Sequence, residues 1–169
     1  IYMQGAQTNI TIRNNTITAN GDAAVMAEYG PMINGLTIEG NLINGTTFNL
    51  PSTGGPSGGQ FTTENWPRSL VVVSNPDNPS TKTNIIFRDN VIDAASGDGG
   101  NGNVMISIDA DGALISGNRF GGTTGTAANF LGSPRAEAYL RVRGVNTEIS
   151  GNLFSGTTRR AVLVRNGNE

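Results

Sequence analysis

Apolar residues along this chain fall into short alternating runs, each closed by the same polar residue. Five segments align without gaps: NITIRNN ending at Asn15, GLTIEGN at Asn41, NIIFRDN at Asn90, GALISGN at Asn118 and NTEISGN at Asn152. Their asparagines stand 26, 49, 28 and 34 residues apart, so the unit recurs while the chain between units varies in length. Alternation within a unit marks a strand with one buried face. Ile12, Ile38, Phe87, Ile115 and Ile149 stand three residues before the Asn, and Ile10, Leu36, Ile85, Ala113 and Thr147 stand five before it. Both columns are predicted to point inward. Two residues after the Asn come Ile17, Ile43, Ile92, Phe120 and Phe154, which predict a second short strand feeding the same core.

A bend must join these two strands. The residue before each Asn is Asn14, Gly40, Asp89, Gly117 or Gly151, and Gly, Asn and Asp are the residues that tolerate positive φ. That column predicts a left-handed kink, and the asparagines after it are expected to stack at about 4.8 Å into a hydrogen-bonded ladder. The ladder accounts for Asn15, Asn41, Asn90, Asn118 and Asn152 as structural residues, with no catalytic role assigned to them. A third strand set covers residues 24–27, 70–73, 104–108, 139–142 and 161–164, with 1–5 its first member. Its inward residues are Val25, Ala27, Val71, Val73, Ile106, Ile108, Leu140, Val142, Val162 and Val164. No helical periodicity competes with this pattern. The fold class is all-β, a right-handed parallel β-helix of five to six coils with three short strands per coil.

The pattern apolar-x-apolar, Gly, Asn-x-x-Ile-x-Gly-Asn-x-Ile resembles the parallel β-helix repeat of the pectin lyase-like superfamily. The resemblance runs from Ile1 to Arg165, interrupted by the long connections. It implies the fold. It leaves function open, because that superfamily includes polysaccharide lyases, glycoside hydrolases, alginate epimerases, phage tailspikes and adhesins. Epimerase-like members would show an Asp-Pro-His motif, and polygalacturonase-like ones paired aspartates with a His. This chain contains no histidine and no adjacent Asp pair. Pectate lyase-like sites set calcium-binding acids beside an Arg, which Asp109 and Asp111 with Arg141 and Arg143 match only in part.

Composition narrows the partners. Eleven Lys and Arg against 13 Asp and Glu give a net charge of -2, with no basic block to follow a phosphate backbone, so nucleic acid is not an expected partner. The absence of histidine removes the commonest general base and transition-metal ligand, and the absence of cysteine removes thiolate chemistry. No apolar run approaches the roughly 20 residues that span a bilayer, so no membrane insertion is expected. SGDGGNGN and IDADG carry oxygen-rich side chains but lack a full calcium ligand set, and turn chemistry explains them better; no metal or cofactor is expected. Apolar Ile1-Tyr2-Met3 and the closing AVLVR run lack the polar caps of a free solenoid end. Residues 1–169 are therefore expected to be one β-helix segment within a longer chain.

A binding surface is predicted beside the third strand set, where the longest connections gather: 44–69, 93–103 and 121–138 before it, and 74–83 after it. Two outward columns follow from alternation, Met26, Val72, Ser107, Arg141 and Leu163, and Glu28, Ser74, Asp109, Arg143 and Arg165. The candidate ligand-binding residues are Ser107, Asp109, Arg141, Arg143 and Trp66. A surface salt bridge between Asp109 and Arg143 is the plainer expectation; the sharper one is Arg holding the carboxylate or hydroxyls of a glycan. Trp66, near Phe61, either anchors its loop or stacks on a sugar, and Tyr29 stands on another loop. The expected function is a non-catalytic structural or adhesive module of an extracellular, cell-surface or virion-surface protein. It would meet polysaccharide or glycan, adjacent coils of its parent chain, or identical subunits. The alternative is a polysaccharide-active lyase, hydrolase or epimerase domain with catalytic groups partly outside this stretch.

Overall fold

The computed structural model describes residues 1–20, 23–27, 32–47, 70–73, 79–96, 103–121, 136–155 and 160–165. The strands follow one another coil by coil. The first coil holds β1 (Tyr2–Met3), β2 (Gln7–Arg13) and β3 (Thr16–Asn20); the second, β4 (Val25–Ala27), β5 (Ile33–Glu39) and β6 (Leu42–Thr47). The third holds β7 (Val71–Val73), β8 (Lys82–Arg88) and β9 (Val91–Ser96); the fourth, β10 (Asn103–Asp109), β11 (Leu114–Ser116) and β12 (Arg119–Phe120). The fifth holds β13 (Ala136–Arg143), β14 (Glu148–Ser150) and β15 (Leu153–Phe154), and β16 (Arg160–Val164) begins a sixth. Every third strand pairs in parallel, giving a six-stranded first sheet, β1-β4-β7-β10-β13-β16, and two five-stranded ones, β2-β5-β8-β11-β14 and β3-β6-β9-β12-β15. This is a right-handed parallel β-helix with three strands per coil.

Register follows the sequence columns. Ile12 pairs with Ile38, Ile38 with Phe87, Phe87 with Ile115, and Ile115 with Ile149. Inward residues of the middle coils are buried, Leu36, Ile38, Ile85, Phe87, Ile92, Ile106 and Ile108 among them. In the second and third sheets, Ile10 and Ile17 of the first coil and Ile149 and Phe154 of the fifth are only partly buried, because the core has a coil on one side of them alone. Val164, expected inside, is 68% exposed for the same reason. Pairing also extends strands into stretches read as loop. β6 stays in register with β9 as far as Thr47 and Ser96, so paired strand reaches into the stretches expected as the connections 44–69 and 93–103. β13 begins at Ala136, inside the expected 121–138 connection. Gly, Thr and Ser there carry no apolar alternation, so periodicity could not see ladder bonds that only the neighbouring coil supplies.

The kink between the second and third sheets is held by side-chain amides. Asn90 donates its backbone N–H and its Nδ2 to Asn118 Oδ1, each at 3.0 Å, and Nδ2 also donates to the Ile38 carbonyl at 2.9 Å. Its own Oδ1 accepts both the N–H and the Nδ2 of Asn41 at 3.0 Å. The same pattern links Asn15 to Asn41 and Asn118 to Asn152. The amides of Asn41, Asn90 and Asn118 thus each link three coils, and a buried turn is left without stranded polar groups.

The residues before the ladder are left-handed: Asn14 (φ 56°), Gly40 (63°), Asp89 (56°), Gly117 (66°) and Gly151 (62°). A second left-handed column opens each aligned unit, six residues before the Asn: Asn9 (54°), Gly35 (80°), Asn84 (54°), Gly112 (67°) and Asn146 (57°). The sequence reading had passed over this one. Space matters here as well as φ. A Cβ on Gly40 would sit 2.6 Å from Asn14 Oδ1, one on Gly35 2.8 Å from Asn9 Oδ1, and one on Gly117 would run into Asp89 Oδ1, whereas Gly112 has nothing within 4 Å.

Two stability outcomes follow. Asn90→Ala strands the amide groups of Asn41 and the Ile38 carbonyl, so denaturant unfolding should show a loss of about 3 kcal/mol or more, against a smaller loss for half-buried Asn152→Ala. Equal losses at the two sites would mean that the ladder is not what holds the kink. Gly112→Asn should stay within about 0.5 kcal/mol of the parent, since Asn occupies that column in other coils. Gly117→Ala should lose at least about 1–2 kcal/mol from its left-handed backbone and the Asp89 clash. Matching melting curves for these two variants would refute the spatial argument.

Candidate functional site

The charged cluster lies on the first sheet, built by register alone. β10 pairs with β13 so that Ser107 faces Arg141 and Asp109 faces Arg143. Arg141 in turn faces Leu163, and Arg165 continues the Asp109–Arg143 column, its N–H donating to the Val142 carbonyl at 3.0 Å. Upstream, Met26 pairs with Val72 and Val72 with Ser107. Glu28 and Ser74, expected to continue the charged column, lie outside the described residues, as do Trp66, Phe61 and Tyr29.

Two expectations need correction. Ser107, Asp109, Arg141 and Arg143 are not exposed but buried, with Ser107 and Asp109 at 0%. Alternation assigns a residue to a face and is blind to whether chain lies over that face. The ion pair also differs from the expected one. Asp109 Oδ2 meets Arg141 Nη2 at 3.0 Å, diagonally across the strands, rather than Arg143 directly opposite. A long guanidinium side chain spans a diagonal neighbour readily. With side-chain exposures of 8% and 0%, the pair is buried, so the small energies of surface salt bridges do not apply.

The electrostatics are one-sided. Burial is the first influence lowering the Arg141 pKa; the charges of Arg143 and Arg165 lower it further, while Asp109 opposes them. Arg143 and Arg165 therefore both act on the guanidinium that pairs with Asp109. Among the described residues the buried Ser107 Oγ, one coil from Arg141, has no hydrogen-bond partner.

Neighbouring groups are structural. Asp111 Oδ1 accepts the Val145 N–H at 2.9 Å and Gly112 is left-handed, so IDADG is a turn. Among the described residues no group of three or more His, Cys, Asp or Glu could hold a metal ion. Tyr139 places its ring centroid 6.2 Å from Phe120 and 5.9 Å from Phe154, and its hydroxyl donates to the Ser155 carbonyl at 2.6 Å, fastening β13 to the third sheet. Burial raises its pKa. Lys82 was missed by the sequence reading and is fully buried at the corner between β10 and the second sheet, where its carbonyl accepts the Asp111 N–H at 2.9 Å. A signal existed: Lys82 pairs with buried Ile33, so a cation occupies an apolar column.

Comparison with known proteins finds no matching family model, no matching curated protein and no matching solved structure. The site is therefore read from its own chemistry. Removing Arg141 would take the paired cation from a fully buried carboxylate, so Arg141→Ala should lose about 3–5 kcal/mol in denaturant unfolding. The Asp109→Leu/Arg141→Met double variant should lose less than that single one. Losses that simply add would show that the two charges are not coupled.

Proposed function

We propose that this chain is a non-catalytic structural or adhesive β-helix module of a larger extracellular, cell-surface or virion-surface protein. Its repeat resembles that of the pectin lyase-like superfamily. In this reading the first sheet meets acidic glycans through Arg141 and Arg143, and other faces meet adjoining coils or identical subunits. The observation that carries the glycan reading is the gathering of Arg143 and Arg165 near the Asp109–Arg141 pair. Guanidinium groups brought side by side by register suit a carboxylate-bearing sugar, which they can hold with charge-assisted hydrogen bonds. Arg141 and Arg143 keep 6% and 7% of their surface at the solvent boundary, so a ligand would meet their edges while Asp109 stays behind them.

The same geometry favours binding over catalysis. A glycosidase needs two carboxylates about 5–9.5 Å apart across the scissile bond. Here Asp109 is committed to Arg141, and Asp111 is committed to a backbone N–H. Neither is presented as a free acid or base.

Calorimetric titration with acidic and neutral oligosaccharides tests the proposal. Acidic ligands should bind and neutral ones should not, and Arg143→Gln should weaken binding by about 1–3 kcal/mol while circular dichroism stays unchanged. Equal binding of both classes, or indifference to Arg143→Gln, would sink the glycan reading. Turnover of a polysaccharide that disappears in Asp109→Asn would replace the module with an enzyme.

A further inference from the structure

The third sheet presents an outward column in strict register: Thr16, Leu42, Val91, Arg119 and Leu153. Leu42 is 38% exposed and Leu153 52%, Arg119 is exposed, and Val91 is half-buried. Two residues along β9 on the same face stands Asp93, half-buried beside Asn44. Scattered exposed leucines need no explanation, but these two form part of one stripe along the solenoid axis.

The order of residues in the stripe is self-complementary. Take a two-fold axis in the plane of a face-to-face contact, parallel to the strands and midway between β9 and β12. It reverses the coil order and keeps each column opposite itself. Coil two then meets coil five, setting Leu42 against the partner's Leu153 and Leu153 against the partner's Leu42. Coil three meets coil four, setting Val91 and Asp93 against the partner's Arg119. The two apolar contacts and the two opposite-charge contacts fall into place under one operation, as an isologous dimer requires. The Leu42 to Leu153 span is three coil spacings, about 14 Å, and packed sheets stand about 10 Å apart, within reach of an Arg side chain lying toward a carboxylate two residues along the facing strand.

We propose that the outward face of the third sheet is a homodimer interface in which two copies pack antiparallel through Leu42, Val91, Arg119, Leu153 and Asp93. This rests on the reading of the chain as a module that meets identical subunits, and it names the face. Five short strands cover less than the roughly 800 Å² per partner of a standard interface, so the dimer is weak and forms as concentration rises.

Sedimentation velocity from low micromolar to near-millimolar protein tests it. The expected result is a reversible monomer–dimer equilibrium, with Leu153→Glu weakening the dimer about tenfold or more. Asp93→Arg alone should weaken it through facing cations, and Asp93→Arg combined with Arg119→Asp should restore it. Monomer at every concentration overturns the inference. So does a dimer indifferent to Leu153→Glu, or one that Asp93→Arg breaks and the charge-swapped double variant fails to recover while its thermal melt stays at the parent's. Glycan titration of the same variants keeps the two proposals apart, since acidic-ligand binding on the first sheet should survive Leu153→Glu.

Discussion

At the kink between the second and third sheets the backbone turns through a left-handed residue, and the peptide groups there cannot all find partners on a neighbouring strand. The asparagine that follows supplies what is missing. Asn90 reaches back to the Ile38 carbonyl and to Asn41 and forward to Asn118, so one amide ties three coils together. An amide has a donor end and an acceptor end, so every Asn in the stack must take the same orientation. That shared orientation fixes the register of both sheets, and a slip of one residue would turn the inward columns to the outside. The core of Leu36, Ile85, Phe87, Ile92 and Phe120 depends on this polar seam as much as on its own burial.

The same stacking dictates which residue can stand where in the left-handed columns. Left-handed Asn14 and Asp89 lean their side chains over the next coil, where Asn14 Oδ1 occupies the place a Cβ on Gly40 would need and Asp89 Oδ1 the place of one on Gly117. Glycine is then demanded twice, by φ and by space. The Asn-to-Gly step recurs at Asn9 and Gly35, which is why Asx and Gly share these columns and β-branched residues are missing from them.

Much of this was legible in the sequence, for a physical reason. Period-two alternation and a recurring Asn are direct images of a pleated strand and a stacked turn, so strand order, inward columns and the Ser107–Arg141 and Asp109–Arg143 pairings could be read from spacing. The second left-handed column was equally visible, since Asn9, Gly35, Asn84, Gly112 and Asn146 begin every aligned unit. Other features had no sequence signal. Alternation carries no measure of burial for the outward face at Ser107 and Asp109, and the choice of Arg141 over Arg143 as partner depends on side-chain reach. Strand ends at Thr47 and Ser96 depend on the adjacent coil.

In-register stacking also changes what a charge means. Every side chain on a solenoid face has a neighbour about 4.8 Å away in the next coil, so a charged residue meets either its complement or its like. On the second sheet the column Arg13, Glu39, Arg88 alternates in sign, and Arg88 Nη2 meets Glu39 Oε2 at 2.6 Å. That column holds two cations with one anion between them. On the first sheet the column runs Asp109, Arg143, Arg165, with Arg141 beside it, so like charges become neighbours at β13 and β16. A chain with only 14% charged residues had ample neutral alternatives for those positions. Alternation explains a column by its own stability. Sign alternates along one face of the scaffold and not along the other, so the same in-register stacking sets opposite charges side by side on the second sheet and like charges side by side on the first.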